Sequence, residues 1–177
     1  MKGLLVILLF SVVAALTNAD CVPKPAGFQF KNRRCPRGSP QIVVKKVQLV
    51  QSGKRVNEVD LTRPLEMHFD FDNNYGRPIR ENRFDFKLRH YKDSGDGCQW
   101  EEIDAGDLLD NIDACGMITE NCSYGGRATK ATYIVDFNTL LGQLVDMTVP
   151  GDYYSFDINQ RDGSTYVSCL TLQNRVK

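Results

Sequence analysis

The feature that most constrains the fold is a pair of β-rich runs near the C-terminus, with a cysteine inside the second run. Residues 154–159 alternate apolar and polar side chains, the segment QRDGS is typical of a turn, and residues 165–172 form another β-rich run. This pattern predicts a β-hairpin that carries Cys169. A disulfide from Cys169 to a distant early strand would close a long loop, which stabilises a chain by about 4 kcal/mol or more. Cys35, beside the first predicted strand, is the candidate partner.

The N-terminus has the pattern of a secretory signal peptide. Lys2 precedes an apolar run over residues 3–16, and small residues follow up to Ala19. The run is shorter than the roughly 20 apolar residues that a membrane-spanning helix needs. We therefore expect residues 1–19 to be removed, which leaves a chain long enough for one domain and too short for two.

Charge and cysteine content narrow the class of protein further. The chain has 22 basic and 22 acidic residues, so the sequence predicts no nucleic-acid partner. All six cysteines follow the predicted signal peptide. An even number in a secreted chain predicts disulfides, although six cysteines allow fifteen pairings.

Strand patterns follow one another closely after a Pro- and Gly-rich start. Residues 20–40 are expected to form an extended lead-in without regular structure, and residues 41–50 are β-branched and predict the first strand. Residues 65–72 and 84–89 both alternate apolar and charged side chains around a turn, NNYGRP. We expect these two strands to pair with each other.

The middle of the chain contains one predicted helix. In AGDLLDNIDAC, Leu108, Leu109 and Ile112 fall on one helical face, and residues 132–137 then predict another strand. Many short strands with at most one or two short helices predict an all-β fold, an antiparallel β-sandwich or cup formed by residues 41–177.

The cysteine order resembles that of a known family. Cys35 precedes the first strand, Cys115 and Cys122 form a close pair in CGMITENCSYGG, and Cys169 ends GDYYSFDINQRDGSTYVSC. Over residues 27–175 this constellation resembles the ML, or lipid-recognition, domain family, and within it the ganglioside-activator branch of sphingolipid activator proteins. That branch carries eight cysteines and this chain six.

The resemblance implies an immunoglobulin-like sandwich whose two antiparallel sheets splay apart around a lipid. It also implies three disulfides, Cys35–Cys169, Cys115–Cys122 and Cys21–Cys98.

Apolar side chains of the predicted strands and helix are the candidate lipid-binding residues, although a solid sandwich core would have the same periodicity. They are Met67, Phe69, Phe71, Phe84, Phe86, Leu88, Leu108, Leu109, Ile112, Tyr133, Val135, Phe137, Leu140, Leu141, Leu144, Tyr154 and Phe156. The apolar segment 138–151 is either a buried connection or a lid over a lipid mouth, where it would touch a membrane.

The sequence contains no recognisable catalytic motif. His68 lies on the polar face of a strand and His90 in a basic strand end, so both are expected to be solvated surface residues. Residues 70, 72, 74 and 81 have the spacing of a calcium loop, but Tyr75 occupies the position that requires glycine. We predict no enzyme, no metal and no cofactor other than a bound lipid. Asn121 begins a glycosylation sequon.

Two functional hypotheses follow. The first is a secreted or lysosomal non-enzymatic protein that holds a glycolipid, phospholipid or sterol in an apolar cup. Its expected partners are the lipid, transiently a membrane surface, and a lipid-processing enzyme or receptor. The second is an extracellular protein-interaction module, a receptor co-factor or secreted effector, with a solid sandwich core.

Overall fold

The computed structural model describes residues 21–114 and 127–177. The predicted signal peptide, the predicted Cys115–Cys122 disulfide and the sequon at Asn121 lie outside the described residues.

The described residues form eleven strands, one short α-helix and two 3₁₀ helices. The strands are β1 (Gln29–Asn32), β2 (Ile42–Gln51), β3 (Lys54–Arg55), β4 (Glu58–Val59), β5 (Leu65–Asn73), β6 (Asn82–Asp93), β7 (Cys98–Ile103), β8 (Ile112–Asp113), β9 (Lys130–Val135), β10 (Tyr153–Asp162) and β11 (Thr165–Val176). The α-helix is α1 (Phe137–Leu141), and the 3₁₀ helices are Gly106–Leu109 and Gly142–Met147.

The strands form two sheets that face each other. The larger sheet has the order β1-β11-β10-β6-β7, with β4 beside β11 and β8 beside β6, and the smaller sheet has the order β3-β2-β5-β9. All pairings are antiparallel except the two-residue parallel contact between β4 and β11. The predicted all-β, disulfide-braced sandwich with short helices is confirmed.

The alternating strands bury the side chains that their period of two predicts. In β5, Leu65, Met67, Phe69 and Phe71 are buried, and the polar residues between them are partly exposed. The apolar positions of β6 are buried in the same way. Each strand therefore turns one apolar face towards the space between the sheets.

The predicted pairing of β5 with β6 is wrong, because the two strands belong to opposite sheets. The connection over residues 74–81 crosses from one sheet to the other, and Ile79 within it is completely buried. Asp162, at the end of β10, holds this connection. Its carboxylate accepts hydrogen bonds from the backbone N–H groups of Arg80 and Glu81, each at 3.0 Å, and from the Tyr75 hydroxyl at 2.8 Å.

The expectation of an irregular lead-in over residues 20–40 is wrong for four residues, because β1 pairs with β11. Without β1, the backbone N–H and C=O groups along this side of β11 would be unpaired. Pairing with them makes residues 29–32 a strand although the surrounding segment is rich in Pro and Gly.

The predicted helix around Leu108 is also corrected. Its 3₁₀ helix ends at Leu109, and Ile112 lies in β8. Asn111 has a φ of 56°, and its backbone N–H donates to Asp85 Oδ1 at 2.9 Å, which directs the chain out of the helix. Leu109 is buried, but Leu108 is 67% exposed, so the two do not share a buried face.

The strand predicted over residues 132–137 ends at Val135, and Phe137 begins α1. The carboxylate of Asp136 caps this helix by accepting hydrogen bonds from the backbone N–H groups of Asn138 and Thr139. The segment 138–151, left open between a buried connection and a lid, is thus partly helical.

Two of the three predicted disulfides, Cys21–Cys98 and Cys35–Cys169, are present. Cys35 and Cys169 are both buried, whereas Cys98 is exposed at the start of β7. Across the described residues, no helix has the length and apolar character needed to cross a membrane.

Candidate functional site

Two apolar cavities lie between the sheets. The hairpin-end cavity is lined by Ile42, Val44, Met67, Phe69, Phe71, Phe84, Phe86, Tyr133, Ile158, Gln160, Ser168 and Leu170. The helix-end cavity is lined by Phe28, Leu49, Val59, Leu61, Leu65, Met67, Phe86, Val135, Phe137, Leu140, Tyr154, Phe156, Ile158, Leu172, Asn174 and Val176.

Met67, Phe86 and Ile158 line both cavities and therefore form the partition between them. On β10, Gln160 lies on the hairpin side of Ile158, and Phe156 and Tyr154 lie on the helix side. Methionine is unbranched and changes rotamer easily, so Met67 is the most movable part of the partition. A small rearrangement there would join the two cavities into one apolar channel along β10.

Both cavities are narrow. The hairpin-end cavity has a volume of about 30 Å³ and the helix-end cavity a volume of about 40 Å³. A volume of about 10–15 Å³ holds one water molecule. Each cavity therefore has room for a few water molecules and not for a lipid chain, unless side chains repack or the sheets separate.

The walls of the hairpin-end cavity are tied together by aromatic contacts. The ring of Tyr133 lies edge-on to Phe84 at 5.4 Å and to Phe69 at 5.7 Å, so it joins the two sheets. The Phe84 and Phe86 rings stack at 5.7 Å. Such pairs add stability beyond their buried area.

The helix-end cavity is closed by the segment that follows β9. Phe137 at the start of α1 contacts Phe156 across the cavity with ring centroids 5.9 Å apart, and Leu140 is only partly buried. The 3₁₀ helix at Gly106–Leu109 contacts both α1 and β6. Two short helices therefore lie together at this end of the sandwich.

Tyr154 connects this closing segment to the interior. Its ring lines the helix-end cavity, and its hydroxyl oxygen accepts a hydrogen bond from the Val149 backbone N–H at 2.8 Å. Burial raises the pKa of the Tyr154 hydroxyl, and Asp152 adds to this effect, whereas the Val149 N–H opposes it. The hydroxyl stays neutral at physiological pH and anchors the end of the segment.

The expectation that His90 is a solvated surface residue is wrong. Its side chain is 17% exposed, its Nε2 lies 2.7 Å from Asp152 Oδ2, and its ring stacks on Tyr154 at 4.7 Å. His90 thus packs against the ring of Tyr154, whose hydroxyl accepts the hydrogen bond from Val149. His68 is 41% exposed and lies 3.2 Å from Glu66, as expected for the polar face of β5.

Most of the predicted lipid-binding residues line the cavities, but several do not. Leu88 and Leu109 instead line a separate cleft of about 110 Å³ beside β7, together with Glu102, Asp104 and Asp110. Leu108 is exposed, and Ile112 and Leu141 pack outside both cavities. The side chain of Leu144 lies outside the described part of the structure.

Sequence reasoning missed the contributions of β2 and β11. In β2, Ile42, Val44 and Leu49 line the cavities, and the alternation in this strand is interrupted by a register shift between Val44 and Lys46. In β11, the inward positions include Ser168 and Asn174, whose polar side chains hide the period of two. The β-branched residues in both strands were the sequence signal that could have indicated their contribution.

Among residues 21–114 and 127–177, no group of three or more His, Cys, Asp or Glu side chains is arranged to hold a metal ion. Asp72 is one of the residues with calcium-loop spacing, and its carboxylate forms a salt bridge with Lys45 at 2.6 Å.

The fold and interior define a disulfide-braced, all-β sandwich with apolar cavities between its sheets. A scan against protein-family models finds no match to the chain. A search of curated proteins also finds no significant match.

Proposed function

We propose that this protein is a secreted, non-enzymatic lipid-binding protein that holds an apolar chain between its two sheets and delivers it to a membrane, enzyme or receptor. The observation that carries the proposal is the pair of apolar cavities in line along β10, which share Met67, Phe86 and Ile158 as lining residues. Membership of the ML domain family, which the cysteine order resembles, is part of the same proposal.

The chemistry of the lining favours an uncharged hydrocarbon ligand. None of the described residues that line either cavity is charged, and the helix-end cavity has only one polar amide, Asn174. Each methylene removed from water contributes about 0.8 kcal/mol, so ten buried methylenes supply about 8 kcal/mol before the cost of association. A single long chain is sufficient for stable binding.

The short helices beside the helix-end cavity offer a route of entry for the ligand. Phe137 and Leu140 of α1 line this cavity, and α1 contacts the 3₁₀ helix at Gly106–Leu109. Leu108 in that 3₁₀ helix is 67% exposed, and Val149 after the second 3₁₀ helix is 49% exposed. Apolar side chains at such positions would contact a membrane surface while α1 moves aside.

The environment of the histidines supports a non-enzymatic role. His68 and His90 lie on strands of different sheets, and each contacts its own carboxylate, Glu66 and Asp152 respectively. Neither histidine lines one of the two cavities. A general base placed near a bound lipid would need to reach that interior.

The test is native mass spectrometry with lipid extraction on protein purified without detergent, together with uptake of a fluorescent acyl chain. Met67→Phe would extend a ring into the partition, so we expect about tenfold weaker uptake with an unchanged circular dichroism spectrum. Ile134→Phe is the matched control, because Ile134 is 49% exposed and lines neither cavity. Equal uptake by wild type and the folded Met67→Phe variant would refute binding between the sheets.

The small cavity volumes favour a second candidate function, an extracellular protein-interaction module with a solid core. That alternative predicts protein free of lipid that also takes up none from vesicles, and a saturable protein partner instead.

A further inference from the structure

We propose that the hairpin-end cavity is the binding site for the hydroxyl group of an uncharged lipid alcohol, with Ser168 as the residue that contacts it. This inference rests on the proposed lipid-binding function and specifies the ligand class and its orientation. Ser168 lies on β11 directly opposite Gln160 of β10, is 2% exposed and lines the cavity. Its Oγ has no hydrogen-bond partner among residues 21–114 and 127–177.

An unpartnered hydroxyl at such a depth is unusual, because buried polar groups in proteins are nearly always hydrogen-bonded. The Ser168 hydroxyl offers one donor and two acceptor sites to whatever occupies the cavity. The apolar residues around it cannot use them. The hydroxyl therefore marks a position at which a polar atom of a ligand would be favoured.

Other polar groups gather at the same end of the cavity. The Gln160 side-chain amide donates to Asn82 Oδ1 at 2.9 Å and to the Tyr133 hydroxyl oxygen at 3.1 Å. All three residues are buried, with Asn82 only 1% exposed. The amide nitrogen of Asn82 is also buried and has no partner within the described part of the chain. A polar cluster thus ends the hairpin side of an otherwise apolar interior.

The charge of the lining decides the class of ligand. A carboxylate or phosphate buried here would have no cationic side chain among the described lining residues, and burial of an unpaired charge is strongly unfavourable. A hydroxyl needs no counter-charge, and it can both donate to Ser168 Oγ and accept from it. The geometry therefore favours a neutral alcohol over a fatty-acid anion or a phospholipid headgroup.

The position of the polar cluster at one end of the interior also sets the orientation of the ligand. Gln160 marks the polar end, and Tyr154, on the same strand, lines the helix-end cavity. Six residues of strand span about 20 Å at roughly 3.4 Å per residue. The hydroxyl would lie deep beside Ser168, and the hydrocarbon would run past Met67 towards α1.

The test compares ligands that differ only in the polar group, delivered from cyclodextrin. The probes are hexadecanol, hexadecane and palmitate at pH 7, with cholesterol and cholestane as the ring-shaped pair. After correction for release from cyclodextrin, we expect wild type to bind one of the alcohols five- to tenfold more tightly than its hydrocarbon, as one buried hydrogen bond would give. Palmitate should bind more weakly than hexadecanol.

Ser168→Ala removes the proposed contact, and Ser155→Ala is the matched control. Ser155 is 3% exposed on β10 but lines neither cavity. We expect the alcohol preference to fall to about twofold or less in Ser168→Ala and to persist in Ser155→Ala. Without ligand, Ser168→Ala should unfold at a higher denaturant concentration than wild type, because the variant no longer buries an unpaired hydroxyl.

The outcomes separate this inference from the function on which it rests. If wild type binds alcohols and hydrocarbons equally, or palmitate best, lipid binding stands and the hydroxyl site is refuted. A preference that survives in Ser168→Ala would refute the role of Ser168. An unchanged or lower unfolding midpoint for Ser168→Ala would show that a trapped water already satisfies the hydroxyl, which also contradicts the inference. If no probe binds, both proposals fail.

Discussion

Replacing Cys35 and Cys169 with alanine should destabilise the protein more than the same change at Cys21 and Cys98, although the two loops differ little in closure entropy. The disulfides span sequence separations of 134 and 77 residues. The chain-entropy relation then gives about 5 kcal/mol for the longer loop and about 4.5 kcal/mol for the shorter one. Loop length alone predicts almost no difference.

The two disulfides differ in how deeply their cysteines are buried. Cys169 is 0% exposed and Cys35 is 4% exposed, whereas Cys98 is exposed and Cys21 is partly buried. Removing two buried sulfur atoms leaves small gaps in a packed interior, which adds about 1–3 kcal/mol to the loss. The Cys35/Cys169 variant would thus lose about 6–8 kcal/mol, comparable with the whole stability of many domains.

Equilibrium unfolding in urea measures the difference, with two signals recorded together. Far-UV circular dichroism reports on both sheets. Fluorescence of Trp100, the single tryptophan, reports on β7, where its ring lies 4.9 Å from Tyr91 and two residues from Cys98. We expect the Cys21/Cys98 variant to stay folded by circular dichroism. Equal losses in the two variants, or a larger loss in the Cys21/Cys98 variant, would refute the argument from burial.

Two further predictions concern the ends of the sandwich. Asp162→Asn should lower stability at pH 7 by about 1–3 kcal/mol, since a charged acceptor of several hydrogen bonds is lost. Burial of the Asp162 carboxylate opposes its ionisation, but the backbone N–H groups of Glu81 and Arg80 and neighbouring side chains outweigh burial and lower its pKa below 3.8. Its contribution is therefore complete above that pH and is lost as the pH falls further. Urea unfolding between pH 7 and pH 2 should show a smaller acid-induced loss in Asp162→Asn; an identical pH dependence would contradict this. Tyr154→Phe removes the acceptor of the Val149 N–H bond, and should cost about 1 kcal/mol and speed amide exchange at Val149. Tyr153→Phe is the control, and unchanged exchange in Tyr154→Phe would show that the segment is held by other contacts.

Local sequence patterns predicted where the strands lie better than they predicted which strands pair with each other. The alternation in residues 65–72 and 84–89 correctly gave two strands with buried apolar faces, because a period of two is a property of adjacent residues. The same pattern wrongly suggested a hairpin. Whether two strands pair side by side or face each other depends on the path of the connection, and this connection crosses from one sheet to the other with Ile79 buried in it.

The candidate site shows the same division. Large apolar residues of β5, β6 and β9 were identified from sequence because they stand out against charged neighbours. Ser168 and Gln160 were not, since a polar residue in a strand normally predicts an exposed face. His90 was misplaced for a related reason: its contacts with Asp152 and Tyr154 join residues more than sixty positions away in the chain.

The sequence by itself determined the class of fold: short alternating strands, turn residues between them and cysteines placed to brace the sandwich. Periodicity and turn chemistry act over a few residues, so they can be read from the chain directly. Only the tertiary structure decided which strands share a sheet, and that the interior holds two narrow cavities with a polar group at one end. Those properties depend on distances between residues far apart in sequence, where packing rather than local preference determines the outcome.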